Sequence, residues 1–275
     1  MNNNISNFCF LGTPFVSSDT LKTLCENNII PGLVITSPDK PAGRGMKLTP
    51  SPTKTLALEK NIEVYTPEKI DADFIEKIKS KGFDFAIVVA YGKILPQDFI
   101  DIFPKGVINI HYSLLPKYRG ASPTEAALLH SDTTTGVTIQ KMVFKLDAGD
   151  IIAQKSIDIE HDDTTITLRP KLITFGANLL VESLPKYLNN EIELVSQDES
   201  IASKCGKISK EDGDITNETD ENIKWNKYRA YAEWPRTYFI KDGKRYIVSK
   251  ARFENNSFVI EKVIPEGKKE TDYIS

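Results

Sequence analysis

Apolar residues fall in short, nearly unbroken runs at 5–11, 32–36, 84–90 and 106–110, each bounded by glycine, proline or polar residues. Runs of that length read as buried strands. Between them, apolar side chains recur every three to four positions at 53–60, 71–81 and 96–103, the helical spacing. An earlier helix opens with Ser17 or Ser18 as its cap and turns Leu21 and Leu24 inward. A short strand fits 63–65, and a helix at 122–130 follows a loop at 111–120. Near-continuous apolar strands alternating with helices predict an α/β fold, a Rossmann-like, mostly parallel sheet covered on both faces.

The pattern then changes. Residues 136–144 and 150–159 are extended and β-branched, predicting an antiparallel addition at the sheet edge. Residues 164–188 form one long amphipathic helix, with Pro170 kinking it or marking its true start. The chain divides into an α/β domain at 1–188, a polar linker at 189–208 and a small β domain at 209–275. Short strands at 236–240, 245–251 and 257–263 build that last domain, separated by turns at 241–243 and 254–256. Residues 37–53 break every periodicity with four prolines and two glycines, and so predict a long functional loop.

With 40% hydrophobic and 27% charged residues over 275 positions, the chain is neither disordered nor collagenous. No apolar run approaches the roughly 20 residues of a membrane span. The N-terminus lacks the basic and apolar regions of a secretory signal. Cys9, Cys25 and Cys205 are too few and too scattered for a disulfide framework or a zinc knuckle, which fits a reducing cytoplasm. A net charge of −3 argues against a general nucleic-acid coat. It conceals two local excesses. From residue 204 onward 15 Lys and Arg face 13 Asp and Glu. Within 36–61, Lys40, Arg44, Lys47, Lys54 and Lys60 face Asp39 and Glu59. Taken alone, either excess reads as a solvated face.

Ligands of open α/β sheets bind beyond the carboxyl ends of the strands. Gly12-Thr13-Pro14 closes the first strand without a G-x-G-x-x-G fingerprint, so a dinucleotide site is not supported. The strand ending at Ile110 carries Asn109 and His111, two positions apart and hence on one face. An isolated Asn-x-His does no more than cap a loop, but this one continues as NIHYSLLPKYRGASP.

With that segment, with FLGTP ending at Pro14, PAGRG at 41–45, LTPSP at 48–52, VAYG at 89–92 and LDAGD at 146–150, the chain resembles the methionyl-tRNA formyltransferase family. The resemblance runs from Phe8 to the KISKEDG segment at 207–213, and returns more weakly at Trp234-Pro235 and PEGKK at 265–269. It implies transfer of a formyl group from 10-formyltetrahydrofolate to the amino group of initiator methionyl-tRNA, by a cytoplasmic monomer that needs neither metal nor membrane.

The same resemblance makes Asn109, His111 and Asp147 the catalytic set. A neutral imidazole can accept the amine proton, a carboxylate can orient that imidazole, and an amide N–H can donate to the developing oxyanion. It assigns Ser113, Leu114, Leu115 and Pro116 to the folate loop, and Val89, Tyr91 and Gly92 to the pterin pocket. Arg119 and Gly120 shape the loop, while His130 and His161 lie off the motifs.

The resemblance also assigns Arg44, within PAGRG, and Lys47, two residues beyond it in the long loop at 37–53, to tRNA. The N-x-H…R-G and D-x-G-D motifs alone do not select the acceptor, so a formyltransferase acting on an amino sugar nucleotide is the alternative. A binding protein without catalysis is a third reading, disfavoured because all three catalytic positions are filled. Departures from the family pattern are Ser17-Ser18-Asp19, Thr124-Glu125 and a shortened C-terminal domain. That domain is expected to be OB-like but truncated, not a closed barrel.

Overall fold

A computed structural model of the chain describes residues 5–43 and 45–274. Its elements run β1 (Phe8–Gly12), α1 (Phe15–Glu26), β2 (Leu33–Ile35), β3 (Lys40–Ala42), β4 (Lys47–Thr49), α2 (Pro52–Glu59), β5 (Glu63–Tyr65), α3 (Ala72–Lys79), β6 (Phe85–Val89), α4 (Gln97–Asp101) and β7 (Val107–His111). They continue as β8 (Arg119–Gly120), α5 (Pro123–Leu129), β9 (Thr134–Lys141), β10 (Ile151–Asp158), α6 (Thr165–Leu188), β11 (Lys204–Cys205), α7 (Glu221–Ala230), β12 (Tyr238–Lys241), β13 (Lys244–Glu254), β14 (Ser257–Pro265) and β15 (Thr271–Asp272).

Seven strands form one sheet in the order β10-β9-β7-β6-β1-β2-β5. The five strands from β7 to β5 are mutually parallel, and β9 runs antiparallel to β7. The parallel strands are apolar throughout because both faces are covered. Cys9, Leu11, Leu33, Ile35, Val88 and Val107 share a buried cluster with Ile78 of α3 and Phe99 of α4. On the opposite face, Ile110 and Val137 meet Gly176 of α6.

Local chemistry starts these helices. Ser51 accepts from the Lys54 N–H at 3.0 Å and Asp71 from the Phe74 N–H at 3.1 Å, capping α2 and α3. The first helix departs from expectation. It starts at Phe15 with Pro14 at its N-cap, so neither Ser17 nor Ser18 caps it. The Ser17 hydroxyl instead donates to the Val89 carbonyl and accepts from the Thr13 N–H at 3.1 Å, tying the ends of β1 and β6 together. Nor does Pro170 mark the start of α6, which begins five residues earlier and runs through it.

The loop expected at 37–53 contains a hairpin. β3 and β4 pair antiparallel, with Pro41 opposite Leu48, and Gly43 and Met46 take the positive φ values that the turn needs.

Compact packing divides the chain into two interleaved units. One takes in the chain up to Lys117, Gly136–Lys155 and Leu172–Ala202. The other takes in Tyr118–Thr135, Ser156–Lys171 and the chain from Ser203. In the second unit β12 to β15 form a four-stranded antiparallel sheet. Its core joins Val248 and Phe258 to Trp225 of α7 and to Ile215. Also within that unit, β8 pairs in parallel with β11. A β-carbon on Gly120 would collide with the Cys205 carbonyl, so this glycine serves the pairing, in keeping with a shaping role for Arg119-Gly120. His130 turns Nδ1 onto the Ala126 carbonyl at 2.8 Å and His161 stacks on Trp225, both in structural settings.

Candidate active site

Strand β7 alternates. Ile108 and Ile110 point toward α6, whereas Val107, Asn109 and His111 point to the other face. Two polar side chains thus continue an apolar row, and both are buried, with His111 only 5% exposed. The antiparallel partner completes the polar patch, since β9 sets Gln140 opposite Asn109 and Thr138 opposite His111.

The turn after β9 brings in the third residue. Asp147 adopts φ +47°, a left-handed conformation that aspartate tolerates better than bulkier residues. The turn is held at its base by the Lys141 N–H donating to the Asp150 carbonyl at 2.9 Å. Gln197 grips it from the side, its amide donating to the carbonyls of Asp147 at 2.9 Å and Gly149 at 2.7 Å. The result brings Asp147 Oδ2 to 3.7 Å from His111 Nδ1, while Oδ1 accepts from Gln140 Nε2 at 3.0 Å. Asn109, His111 and Asp147 are therefore brought together, two by one strand and one by a turn folded over the same face.

Beside Asp147 opens a cavity of about 320 Å³, walled by Leu95, Ile100, Met142, Phe144 and Leu146, with Lys93, Gln140 and Asp147 as polar groups. Apolar walls with a few converging polar groups are the usual composition of a small-molecule site. The volume lies at the lower end of such sites and suits a fused ring system more than a whole long ligand.

The residues expected to hold the folate stand differently. Ser113 is fully buried and its hydroxyl donates to the Lys117 carbonyl at 2.6 Å. Thr138 binds both the Ser113 carbonyl and the Leu115 N–H, and Gln154 donates to the Leu115 carbonyl. The Ser113 hydroxyl, the Ser113 carbonyl and both main-chain groups of Leu115 are thus engaged within the fold, and none of Ser113, Leu114, Leu115 and Pro116 lines the cavity.

Val89, Tyr91 and Gly92 do not line it either, although Lys93, Ile94 and Leu95, next in the chain, do. Between Val89 and Tyr91, Ala90 takes φ +46°. The Tyr91 hydroxyl is buried without a hydrogen-bond partner among the described residues, and burial pushes its pKa up to about 12. Lys47 is exposed on β4, whereas Arg44 lies outside the described residues.

Sequence reasoning missed Gln140, Gln197 and the apolar turn from Met142 to Leu146. A signal existed for Gln140, a polar residue within a strand otherwise rich in buried side chains. Gln197 carried none, since it lies in a polar stretch 50 residues from its partner.

A family profile described as formyl transferase matches residues 7–184. A methionyl-tRNA formyltransferase of a Sulfurihydrogenibium species is 42% identical over 231 residues, covering 83% of this chain and 74% of that protein. One from Mesoplasma florum is 39% identical over 250 residues, covering 90% and 79%. Among solved structures, an N-formyltransferase from Helicobacter canadensis, in complex with folinic acid and dTDP-3-aminofucose, aligns with a TM-score of 0.70. It covers 91% of this chain and 89% of its own at 20% identity, a likeness of fold.

Proposed function

This chain belongs to the methionyl-tRNA formyltransferase family, and from that premise we propose that Asn109, His111 and Asp147 carry its formyl transfer to the α-amino group of methionyl-tRNA. The observation that carries the reading is the approach of His111 Nδ1 to Asp147 Oδ2, at 3.7 Å, with Asn109 one strand turn away on the same face. With Nδ1 turned toward the carboxylate, Nε2 is the ring nitrogen that takes the amine proton. Asp147 holds the ring and stabilises its protonated form. The Asn109 amide donates to the formyl oxygen as charge grows there. A bond forms between the amine nitrogen and the formyl carbon, the bond from that carbon to the folate nitrogen breaks, and the proton taken by His111 passes to the departing nitrogen.

The formyl group comes from a folate, which we take to be 10-formyltetrahydrofolate. The cavity beside Asp147 fits its ring system: Leu95, Met142, Phe144 and Leu146 cover the faces, and Lys93 and Asp147 offer polar groups. Ser113 to Pro116 then support the site from beneath, through Thr138, and Val89 to Gly92 set the course of the chain entering the cavity wall. Lys47 of β4 and Arg44, which precedes it in the sequence, together with the C-terminal domain at 209–275, are the proposed tRNA contacts. Binding through phosphates weakens as salt rises.

The deciding assay supplies 10-formyltetrahydrofolate with either initiator methionyl-tRNA or an amino sugar nucleotide. Formylation of the tRNA alone is expected. Transfer to the sugar alone would overturn the acceptor assignment.

A further inference from the structure

Gln140 touches the proposed active site, yet neither the family resemblance nor the three-residue mechanism gives it a part. It stands directly across from Asn109 in the β7–β9 pairing and is 1% exposed. Its amide nitrogen donates to Asp147 Oδ1 at 3.0 Å. Its amide oxygen is buried with no hydrogen-bond partner among the described residues. Turning the amide over would bring two oxygens together at Asp147, so this orientation is the one that the network requires.

A buried acceptor without a partner destabilises the fold, and an apolar side chain of the same length would avoid that cost among the apolar walls of this cavity. The one return visible for the amide is its bond to Asp147. That bond occupies one carboxylate oxygen and leaves the other, Oδ2, facing His111.

We propose that Gln140 is a positioning residue that fixes the rotation of the Asp147 carboxylate so that Oδ2 is presented to His111. The proposal rests on the assignment of Asp147 given above. A charged hydrogen bond is directional and about twice as strong as a neutral one. Without it, the carboxylate loses a directional anchor on Oδ1, and the imidazole faces a less firmly held partner. A residue acting in this way affects turnover through Asp147 and does little to the ground-state binding of either substrate.

The test uses the full-length protein with Gln140→Met, Gln140→Glu, Asp147→Asn and the double variant Gln140→Met/Asp147→Asn. Gln140→Met keeps length and removes the donor. It is expected to lower kcat by about tenfold, to change KM for folate less than about threefold, and to leave the thermal midpoint unchanged or higher. Gln140→Glu keeps the shape but sets a second carboxylate against Asp147, and is expected to lower kcat further than Gln140→Met. Once Asp147→Asn has removed the carboxylate, adding Gln140→Met should alter the residual kcat by less than about twofold, because the two act as one unit.

An inactive Asp147→Asn beside a fully active Gln140→Met would overturn this proposal alone. A fully active Asp147→Asn would overturn the assignment of Asp147 and this proposal with it. A Gln140→Met protein that loses its fold would identify Gln140 as a core residue and equally overturn the proposal.

Discussion

Gly149 lies so close to the main chain of Lys141 that a β-carbon on it would fall onto the Lys141 carbonyl oxygen. The two residues flank the turn that carries Asp147, so Gly149→Ala must spread that turn. A displacement of about 1 Å at a reacting group can cost about 100-fold in rate. Formyl transfer by Gly149→Ala is expected to fall by about that factor with circular dichroism preserved. Normal turnover would show that the placement of Asp147 is not required.

His111→Ala removes the proposed proton acceptor. Turnover is expected to drop by roughly 10²–10⁴-fold while folate binding, followed by fluorescence quenching, changes little. A loss of folate affinity equal to the loss of rate would place His111 in binding instead of proton transfer.

Phe144 is 63% exposed and lines the cavity beside Asp147 together with the exposed Ile94, Val143 and Leu146, a contiguous apolar patch of the kind that a ligand covers. Phe144→Ser is expected to raise KM for folate about tenfold, in line with the ~1.5–3 kcal/mol gained by burying a large apolar side chain. KM for methionyl-tRNA should stay within about twofold on the same reading. The reverse pattern would move the folate elsewhere.

Asp163 supplies a pH-dependent part of the stability. Burial alone would raise its pKa, but hydrogen bonds from Lys171, Thr167 and the Glu160 N–H outweigh burial and hold it below the usual carboxylate value. A pKa lowered by folding adds stability that is complete above the unfolded value, about pH 4, and is lost as pH falls through the folded value. Asp163→Asn is therefore expected to destabilise the protein by about 2 kcal/mol at pH 7 and by less at pH 3, the gap shrinking as pH falls below about 4. Urea unfolding at the two pH values measures both, and an equal gap at pH 3 would refute the account.

The parallel sheet was legible because its strands are apolar on both faces, and Asn109 and His111 stood out as polar residues at the end of one of them. What stayed hidden depended on distant partners or on short-range geometry. The β3–β4 hairpin hides behind Pro41, since a two-stranded edge tolerates proline where a larger sheet does not. Helix α7 reads as polar because it meets the β13–β14 core through Trp225 and Tyr228 alone, while its side toward α5 is packed with polar groups, Asn226 donating to the Leu129 carbonyl and the Ser131 hydroxyl. The 113–116 loop carries its hydroxyl and amide groups in full view of the sequence, but their engagement with Thr138 and Gln154 depends on tertiary pairing more than 20 positions away.

The grip of Gln197 on the carbonyls of Asp147 and Gly149 spans 50 and 48 positions of chain. On the ribosome these residues are not made together. At about 5–20 residues per second, roughly 3–10 s separate the emergence of Asp147 from that of Gln197. Throughout that interval the nascent chain contains Asn109 and His111 but not yet the glutamine that grips the turn. Competence for chemistry thus arrives late in synthesis, with one glutamine, well after the strand that bears the proposed base has been laid down.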